Sequence, residues 1–511
     1  MKKIGTAVAL LSLSLPVMAL AAEFQPIGAL GMGGAGVARN NGALTAYWNP
    51  AGGAFNDSPF AMNTGFGIGA RGSDGLAENV DRMSDVKFDS VKNFDTNSAN
   101  VATVGDMVKA ITIIKDIEKR QGNIALNAQV PIGFSIKHVS FGVFGNFEGY
   151  ILPKTDSINL LPNSTPGGVT TATTVNVTDL YNAVAIPGVT YAPSGYFSTD
   201  QLSALTTEFN KTLNNTSNAQ QLSYAIDNQF KGSNIPAGTT FDSLITFIPS
   251  LAAGGTNTFD KNTTSVMTKA IMYFEVPLSY GHPFDFGNYG KLGIGATAKI
   301  ISGSVYQNQV LIVNKPESEK TGSSDLVSDI TKNNKSSVNF GVDLGALYKY
   351  DNWLSVGLVA KNLNSPKFDA PEYDAPVDGN PALTVKKKGE DVKLKPQIRA
   401  GVSVDPYSWL TIASDIDLTE NETLAPGTVV GSSVKSRNFG GGLELHPYSW
   451  LRIRGGAYKN LANSDIGLVL TTGFTLFVLD VDGAFATDTF KLGSTNLPQE
   501  VKVQVAMSFA F

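Results

Sequence analysis

The chain has 511 residues, no cysteine, 52 glycines, three histidines and a formal net charge of −5, with 42% of its residues hydrophobic and only 16% charged. A soluble chain of this size carries about a quarter charged residues. Without cysteine there is no disulfide frame, thiolate metal site or cysteine nucleophile. The acidic balance, with no basic run longer than Lys386 to Lys388, argues against nucleic acid as a partner.

At the N-terminus Lys2 and Lys3 precede an apolar stretch from Ile4 to Leu20, and Ala19-Leu20-Ala21 has the small-x-small form that signal peptidase cuts. Residues 1–21 therefore read as an export signal rather than an anchor, because Ser12, Ser14 and Pro16 interrupt an already short segment. No later apolar run approaches the ~20 residues a spanning helix requires. A membrane protein with this sequence has to cross as strands.

The next segment is built of small residues. It reads Gly28-Ala29-Leu30-Gly31-Met32-Gly33-Gly34-Ala35-Gly36-Val37-Ala38, then Ala43-Leu44-Thr45-Ala46-Tyr47-Trp48-Asn49-Pro50-Ala51-Gly52. Gly31, Gly33 and Gly36 have the dinucleotide-binding spacing, but no strand precedes them and no βαβ pattern surrounds them, so a nucleotide site is not expected.

From residue 59 onward the pattern is alternation. The last segment shows it best: Val501, Val503, Val505, Met507, Phe509 and Phe511 share one face, and Lys502, Gln504, Ala506 and Ser508 the other. About ten residues with one apolar and one polar or small face are the mark of a transmembrane barrel strand. Reading the whole chain this way predicts strands at 59–70, 123–137, 140–152, 265–281, 290–306, 336–350 and 353–363. A second set follows at 395–405, 409–418, 436–446, 450–459, 465–474, 477–488 and 499–511. Fourteen strands, joined alternately by short and long connections, describe an all-β antiparallel barrel with periplasmic turns and extracellular loops.

Two connections are far longer than a linker needs to be. Residues 71–122 carry Val104, Val108, Ile111, Ile114 and Ile117 at helical spacing, closed by Lys119, Arg120 and Gly122. Residues 153–264 hold a Thr/Asn-rich part, then a helix with Ser198 and Gln201 as a capping box and Leu202, Leu205, Phe209 and Leu213 on one stripe, then Phe241, Leu244, Ile245 and Ile248. These faces serve either as an apolar landing groove or as self-packed cover for the barrel.

A repeat marks the short-turn rim. Asp405-Pro406-Tyr407-Ser408-Trp409-Leu410 recurs 41 residues later as His446-Pro447-Tyr448-Ser449-Trp450-Leu451, with Tyr350-Asp351-Asn352-Trp353-Leu354 a looser copy. Trp and Tyr favour the membrane interface, so these are turns carrying an aromatic belt. The inward positions hold Glu148, Glu275, Asp343, Asp415, Asp417, Glu444, Asp480 and Asp482 against Lys299, Lys361, Arg399, Arg452, Arg454 and Lys502. Buried charges without partners are costly, so these pair with one another and with groups such as Arg39. Of them, Asp415, Asp417, Glu444, Arg452, Arg454, Asp480 and Asp482 form the candidate lumen network. The i,i+2 carboxylates are read as ion-pair partners rather than a catalytic dyad. Pro131 and Pro277, inside predicted strands, are candidate wall kinks because proline cannot donate to the ladder. His138, His282 and His446 fall in separate predicted turns and make neither a metal site nor a triad.

The small-residue segment ending in Trp48-Asn49-Pro50-Ala51-Gly52 resembles the N-terminal hatch of FadL-type outer-membrane transporters of long-chain fatty acids and other hydrophobic compounds. The Gly-Met-Gly-Gly-Ala-Gly-Val-Ala run, Leu394-Lys395-Pro396, Asp415-Ile416-Asp417-Leu418 and Trp450-Leu451-Arg452-Ile453-Arg454-Gly455-Gly456 are similar to the TraF-like, conjugal-transfer-like branch of that superfamily. The resemblance implies a hatch over residues 22–58 plugging a barrel over 59–511, with Gly31, Gly33, Gly34, Gly36, Asn49, Pro50 and Ala51 as its gating residues. It implies a monomeric, non-enzymatic outer-membrane protein without cofactor or metal, in contact with membrane lipid and lipopolysaccharide. Its implied role is uptake of a hydrophobic small molecule by loop capture, hatch movement and lateral release. The alternative is a non-transporting barrel that assists conjugation, secretion or surface assembly.

Overall fold

A computed structural model describes residues 26–39, 42–72, 75–87, 99–120, 122–161, 163–164, 173–253, 258–314, 333–426, 433–462, 467–492 and 495–511. The signal-peptide reading over 1–21 lies outside these residues, as does residues 165–172 of the polar stretch in the second long connection.

The alternating segments form one closed antiparallel barrel of fourteen strands. They are β1 (Ala61–Gly72), β2 (Ile124–Ile136), β3 (Val139–Lys154), β4 (Ser265–Asp285), β5 (Lys291–Leu311), β6 (Asn334–Tyr350) and β7 (Leu354–Lys361). The circuit continues through β8 (Gln397–Tyr407), β9 (Leu410–Asp417), β10 (Asn438–Tyr448), β11 (Leu451–Asn460), β12 (Val469–Leu476), β13 (Leu479–Ala486) and β14 (Glu500–Ala510). Neighbours in sequence are neighbours in the sheet, and β1 pairs with β14 from Ala61↔Ala510 to Arg71↔Glu500, so no edge is left open.

Each strand sorts its side chains as the alternation predicts. In β4, Phe274, Val276, Leu278 and Tyr280 are exposed while Glu275 and Ser279 between them are buried. Ile294 and Ile300, Phe340 and Leu344, Val356 and Leu358, and Val501, Val503 and Val505 continue the apolar exterior around the barrel. A closed barrel with an apolar band outside and charged groups inside is an outer-membrane β-barrel. Among the described residues no helix is long and apolar enough to cross a membrane.

The wall is uneven in height. β4 and β5 each have 21 residues, whereas β7, β9, β12 and β13 have 8. Roughly 9–11 residues cross a bilayer, so the β4–β5 wall stands well beyond it. Away from the turns the ladder is also interrupted at two places. Between β1 and β2 the pairing passes from Thr64↔Ile132 to Gly67↔Gln129, skipping Pro131. Between β3 and β4 it passes from Phe141↔Leu278 to Phe144↔Glu275, skipping Pro277.

The rim repeat is a structural repeat. Tyr407 stacks on Trp409 and Tyr448 on Trp450, each with ring centroids 5.3 Å apart and planes 3° apart. The ladder shifts register at each repeated proline. Each copy also holds the next: the Trp353, Trp409 and Trp450 carbonyls accept from the Asp405, His446 and Phe477 amides at 2.7–2.8 Å. Only His138 lies in a turn. His282 and His446 belong to β4 and β10, which run on past the predicted strand ends.

At the opposite end the two long connections fold together. Their helices α2 (Leu76–Ser84), α3 (Val101–Arg120), α4 (Val177–Val184), α5 (Thr199–Leu213), α6 (Thr216–Phe230) and α7 (Ala237–Ala253) share a single apolar core. Ile111, Ile114, Leu205, Phe209, Leu244 and Ile248 are all buried in it. Among the described residues the predicted apolar stripes are therefore spent largely on self-packing. The Ser198–Gln201 capping box is formed in both directions.

Three further excursions had no counterpart in the alternation pattern. Residues 367–368 pair with 392–393 around a hairpin of Glu372–Val377 and Asn380–Lys388, Asn421–Pro426 pairs with Ser433–Ser436, and Thr489–Leu492 with Thr495–Pro498. The first two reach over the lumen mouth, where Phe368, Ala370, Val392, Leu394 and Leu424 pack against Tyr150, Ile271, Tyr273 and Ile301 of the inner wall.

Candidate functional site

The lumen is the site, and the chain itself occupies it. Residues 26–39 and 42–58 lie against the inward faces of β2 to β13, and from Ile27 to Ala54 nearly every described side chain is buried.

Small residues are what allow this. Gly33 ends a 3-10 turn (Leu30–Met32) at φ +64, and a Cβ there would strike the Ala457 and Gly441 carbonyls. Gly31 lies against Asp482, Gly36 against the Trp48 ring, and Gly34 takes φ +78. The wall answers with glycines of its own: Gly440 faces Gly33, Gly345 faces Asn49, and Gly295 faces Pro50 and Ala51. Backbone approaches backbone on both sides.

Trp48, fully buried, donates from Nε1 to the Ile27 carbonyl at 2.7 Å and so closes the segment on itself. It follows Thr45 to Tyr47 in the short helix α1 (Thr45–Trp48). Asn49 does three things. Its Oδ1 accepts from the Ala51 amide at 3.1 Å, capping the 3-10 helix Pro50–Phe55, and its Nδ2 donates to the carbonyls of Val37 (3.2 Å) and Ala346 of β6 (3.1 Å). Pro50 takes the first helical position, where its missing N–H costs nothing. The Asn-Pro-Ala run is thus a joint between the two halves of the segment and the wall.

The segment is fastened by charge as well. The Gly36 and Val37 amides donate to Asp415 at 2.8 and 3.0 Å, and Arg39 meets Glu444 at 3.0 Å. Around these pins the network is dense. Arg454 contacts Glu444 (3.5 Å), Asp480 (3.0 Å) and Asp482 (3.2 Å), and Arg399 contacts Asp417 at 2.9 Å. His446 lies 2.7 Å from Glu444. Asp415, Asp417, Glu444, Arg454, Asp480 and Asp482 are therefore brought together, whereas Arg452, on the same strand face, is exposed near the short turn. Neither i,i+2 carboxylate pair is available as an acid–base dyad, since each is held by arginine or by backbone amides.

A second charged group sits on the tall wall. Lys299, 1% exposed, lies between Glu275 (2.9 Å) and Asp343 (3.0 Å), with Lys361 3.9 Å from the Tyr47 ring centroid beside it. A third joins Lys502 to Glu500 at 2.7 Å, with Tyr458 bonded to both. The candidate network omitted Glu500 and Tyr458. Strand phase could have found them, because they continue the inward faces of β14 and β11. Two cavities in the lumen have room for about one water each, about 10 Å³. One of them lies at the interrupted β1–β2 seam beside Pro131, Phe66 and Gly28. Among the described residues no group of three or more acidic or histidine side chains could hold a metal ion.

The family described as "F plasmid transfer operon, TraF, protein" matches residues 46–417, from α1 through β9. The chain belongs to that family. Of the residues on which the resemblance rests, Trp48 to Gly52, Leu394 to Pro396 and Asp415 to Asp417 fall inside the match, whereas the run from Gly31 to Ala38 and the stretch from Trp450 to Gly456 lie outside it. A search of curated proteins finds no match. Solved structures similar to the chain include the toluene transporter TbuX of Ralstonia pickettii, at 11% identity over 94% of this chain and 97% of that one, TM-score 0.43. They also include the toluene transporter TodX of P. putida (10%, 94% and 97%, 0.42) and a FadL homologue of Pseudomonas aeruginosa (10%, 97% and 98%, 0.38).

Proposed function

We propose that this TraF-family protein admits hydrophobic small molecules across the outer membrane, with residues 22–58 as the hatch of a barrel over 59–511. The observation that carries the reading is how the lumen is closed. A terminal segment fills it, fastened by separate hydrogen bonds and ion pairs at Asp415, Glu444 and Ala346 rather than by continuation of the wall. Each such bond contributes about 0.5–3 kcal/mol, the charged ones most, so the segment can loosen stepwise while the barrel stays intact. The titles of two of the neighbours describe those proteins as toluene transporters.

In this reading the short turns face the periplasm and the helices face outward. The seams skipped at Pro131 and Pro277 are where the wall opens sideways to release solute into the membrane. Gly31, Gly33, Gly34, Gly36, Asn49, Pro50 and Ala51 set the fit of the hatch, and the carboxylates and arginines of the lumen hold it.

Deleting residues 22–58 should turn a closed barrel into a conducting pore in planar bilayers, and cells carrying the intact protein should take up a hydrophobic probe faster than cells without it. A deletion that stays non-conducting, together with unchanged uptake, would count against transport. The co-folded helical core beyond the membrane supports a second reading, a docking barrel for conjugation, secretion or surface assembly. That reading expects deletion of residues 153–264 to abolish recovery of a partner while leaving uptake of the probe untouched.

A further inference from the structure

We propose that the upper lumen contains a binding site for a neutral, phenyl-sized apolar molecule, and that Phe368 of the chain fills it in this closed form. The inference deepens the uptake reading and rests on it for the route by which a solute arrives.

A barrel lumen is ordinarily lined by polar or small groups. Most inward positions here obey that, but on the tall wall Tyr150, Ile271, Tyr273, Ile301 and Val305 turn an apolar surface inward, all of them buried. Directly below, the Glu275–Lys299–Asp343 group forms a charged floor. The result is a chamber that suits an uncharged, apolar occupant and stops it at the floor. Phe368 is that occupant. It is fully buried, its ring lies 6.4 Å from Tyr273 with planes 20° apart, and it enters a notch at Gly303, where a Cβ would come within 2.6 Å of the ring.

The segment that carries Phe368 is anchored by Ala370, Val392 and Leu394, buried beside it, and otherwise by polar contacts at its margins. Its own ladder is two residues long, Lys367 and Phe368 against Val392 and Lys393. Asn339 Nδ2 donates to the Lys367 carbonyl at 2.7 Å, and the Asp369 amide donates to Ser337 Oγ at 3.3 Å. Further along, Asn333 Nδ2 donates to the Glu372 carbonyl at 2.7 Å and the Glu390 amide to Gln307 at 3.2 Å. The ion pairs to the barrel are Lys335–Asp369 at 3.1 Å with both partners about half exposed and Lys269–Glu390 at 2.7 Å with the carboxylate outward, while Lys367–Asp391 at 2.8 Å lies within the excursion. Exposed pairs of this kind hold weakly. An incoming solute of the same shape as the phenylalanine side chain can take its place, and Phe368 then serves as a second closure above the hatch.

Because the chain lacks cysteine, single introduced thiols can be labelled alone. Full-length protein purified from membranes, with a nitroxide at Lys393→Cys, is titrated with toluene, the hydrocarbon equivalent of the phenylalanine side chain. A second label at Lys291→Cys, at the short-turn end, is the reference. A saturable gain in mobility at 393 alone is expected; no gain, or an equal gain at both positions, overturns the site. A Ser337→Cys, Asp369→Cys pair is closed as a disulfide until one free thiol remains, and that thiol, at 393, is then labelled through a thioether with a maleimide nitroxide. The tether should abolish the gain and reduction should restore it; a gain indifferent to the tether overturns displacement of Phe368. Entry of N-phenyl-1-naphthylamine into intact cells then separates the two proposals. Protein-dependent entry that ignores the tether overturns the second closure and leaves uptake standing. Absence of protein-dependent entry, with the response at 393 intact, overturns uptake and leaves the site standing.

Discussion

Lys299 is placed where one substitution should have the largest effect. Its ammonium lies between Glu275 and Asp343 with almost no solvent. Lys299→Met leaves two carboxylates facing each other and should cost about 3–5 kcal/mol, the usual penalty for breaking a buried pair from one side. Urea titration of the refolded barrel, followed by the shift between unheated and heated protein on a gel, measures it. Asn49→Ala is milder, losing one cap and two carbonyl contacts, for about 1–3 kcal/mol. Its effect is local: hydrogen exchange at the Gly36 and Val37 amides, now bonded to Asp415, should accelerate while exchange in β14 does not. At this scale strand phase made most of the site legible. Asp415, Asp417, Glu444, Arg454, Asp480 and Asp482 all point where alternation puts them. Phe368 was not legible, since it sits in a two-residue strand whose register is set by Asn339 and Ser337 on another element.

Elements divide in the same way. Strands of ten or more residues declare themselves by period, and α3 and α5 by their apolar stripes. The excursions at 364–396 and 419–437 do not, because short polar hairpins have no face to bury until the barrel mouth supplies one. The neck of the second long connection shows how such a piece is tied. Asp156 accepts from the amides of Ile158, Asn159 and Thr263 and from the side chains of Asn159 and Thr263, while Asn262 Nδ2 donates back to the Asp156 and Asn159 carbonyls. Burial raises the Asp156 carboxyl, but hydrogen bonds from Asn159, Thr263 and Ile158 outweigh it and hold the group below its ordinary range. A lowered folded value means the stabilisation is complete above the unfolded value and is lost as pH falls through the folded one. The neck should therefore loosen progressively below about pH 4. Limited proteolysis between residues 157 and 262 by an acid protease, normalised at each pH to cutting of an unfolded substrate, should rise over that interval in wild type; Asp156→Asn should respond less to acid and be cut more readily than wild type by a neutral protease at neutral pH.

For the whole molecule, the helical core joins segments from both long connections, α2 and α3 from the first and α4 to α7 from the second. Each half buries part of its apolar surface against the other. Replacing residues 76–120 by a short linker should leave the barrel able to shift on a gel, yet make α5 to α7 as protease-sensitive as an unfolded chain; resistance of the remaining helices would show that they form a core without α3. The strand count and the single apolar exterior were legible at this scale because a barrel has few ways to satisfy its backbone in lipid. The union of the two connections was not, since amphipathic stripes carry no address for their partner.

The seam between the first and last strands sets an order of events during biogenesis. β1 begins three residues after the lumen segment ends, and its second partner, β14, is the last of the fourteen strands to be made. Until β14 arrives the sheet has two unsatisfied edges, and once it has zipped from Arg71 to Ala61 the interior is enclosed. The glycine-rich segment must settle against its wall glycines before that final strand docks, or else thread a finished cylinder from below. A folding catalyst that holds the seam apart therefore also holds open the interval in which the lumen is filled, and a variant slow to settle its N-terminal segment should accumulate as an unclosed sheet rather than as an empty barrel.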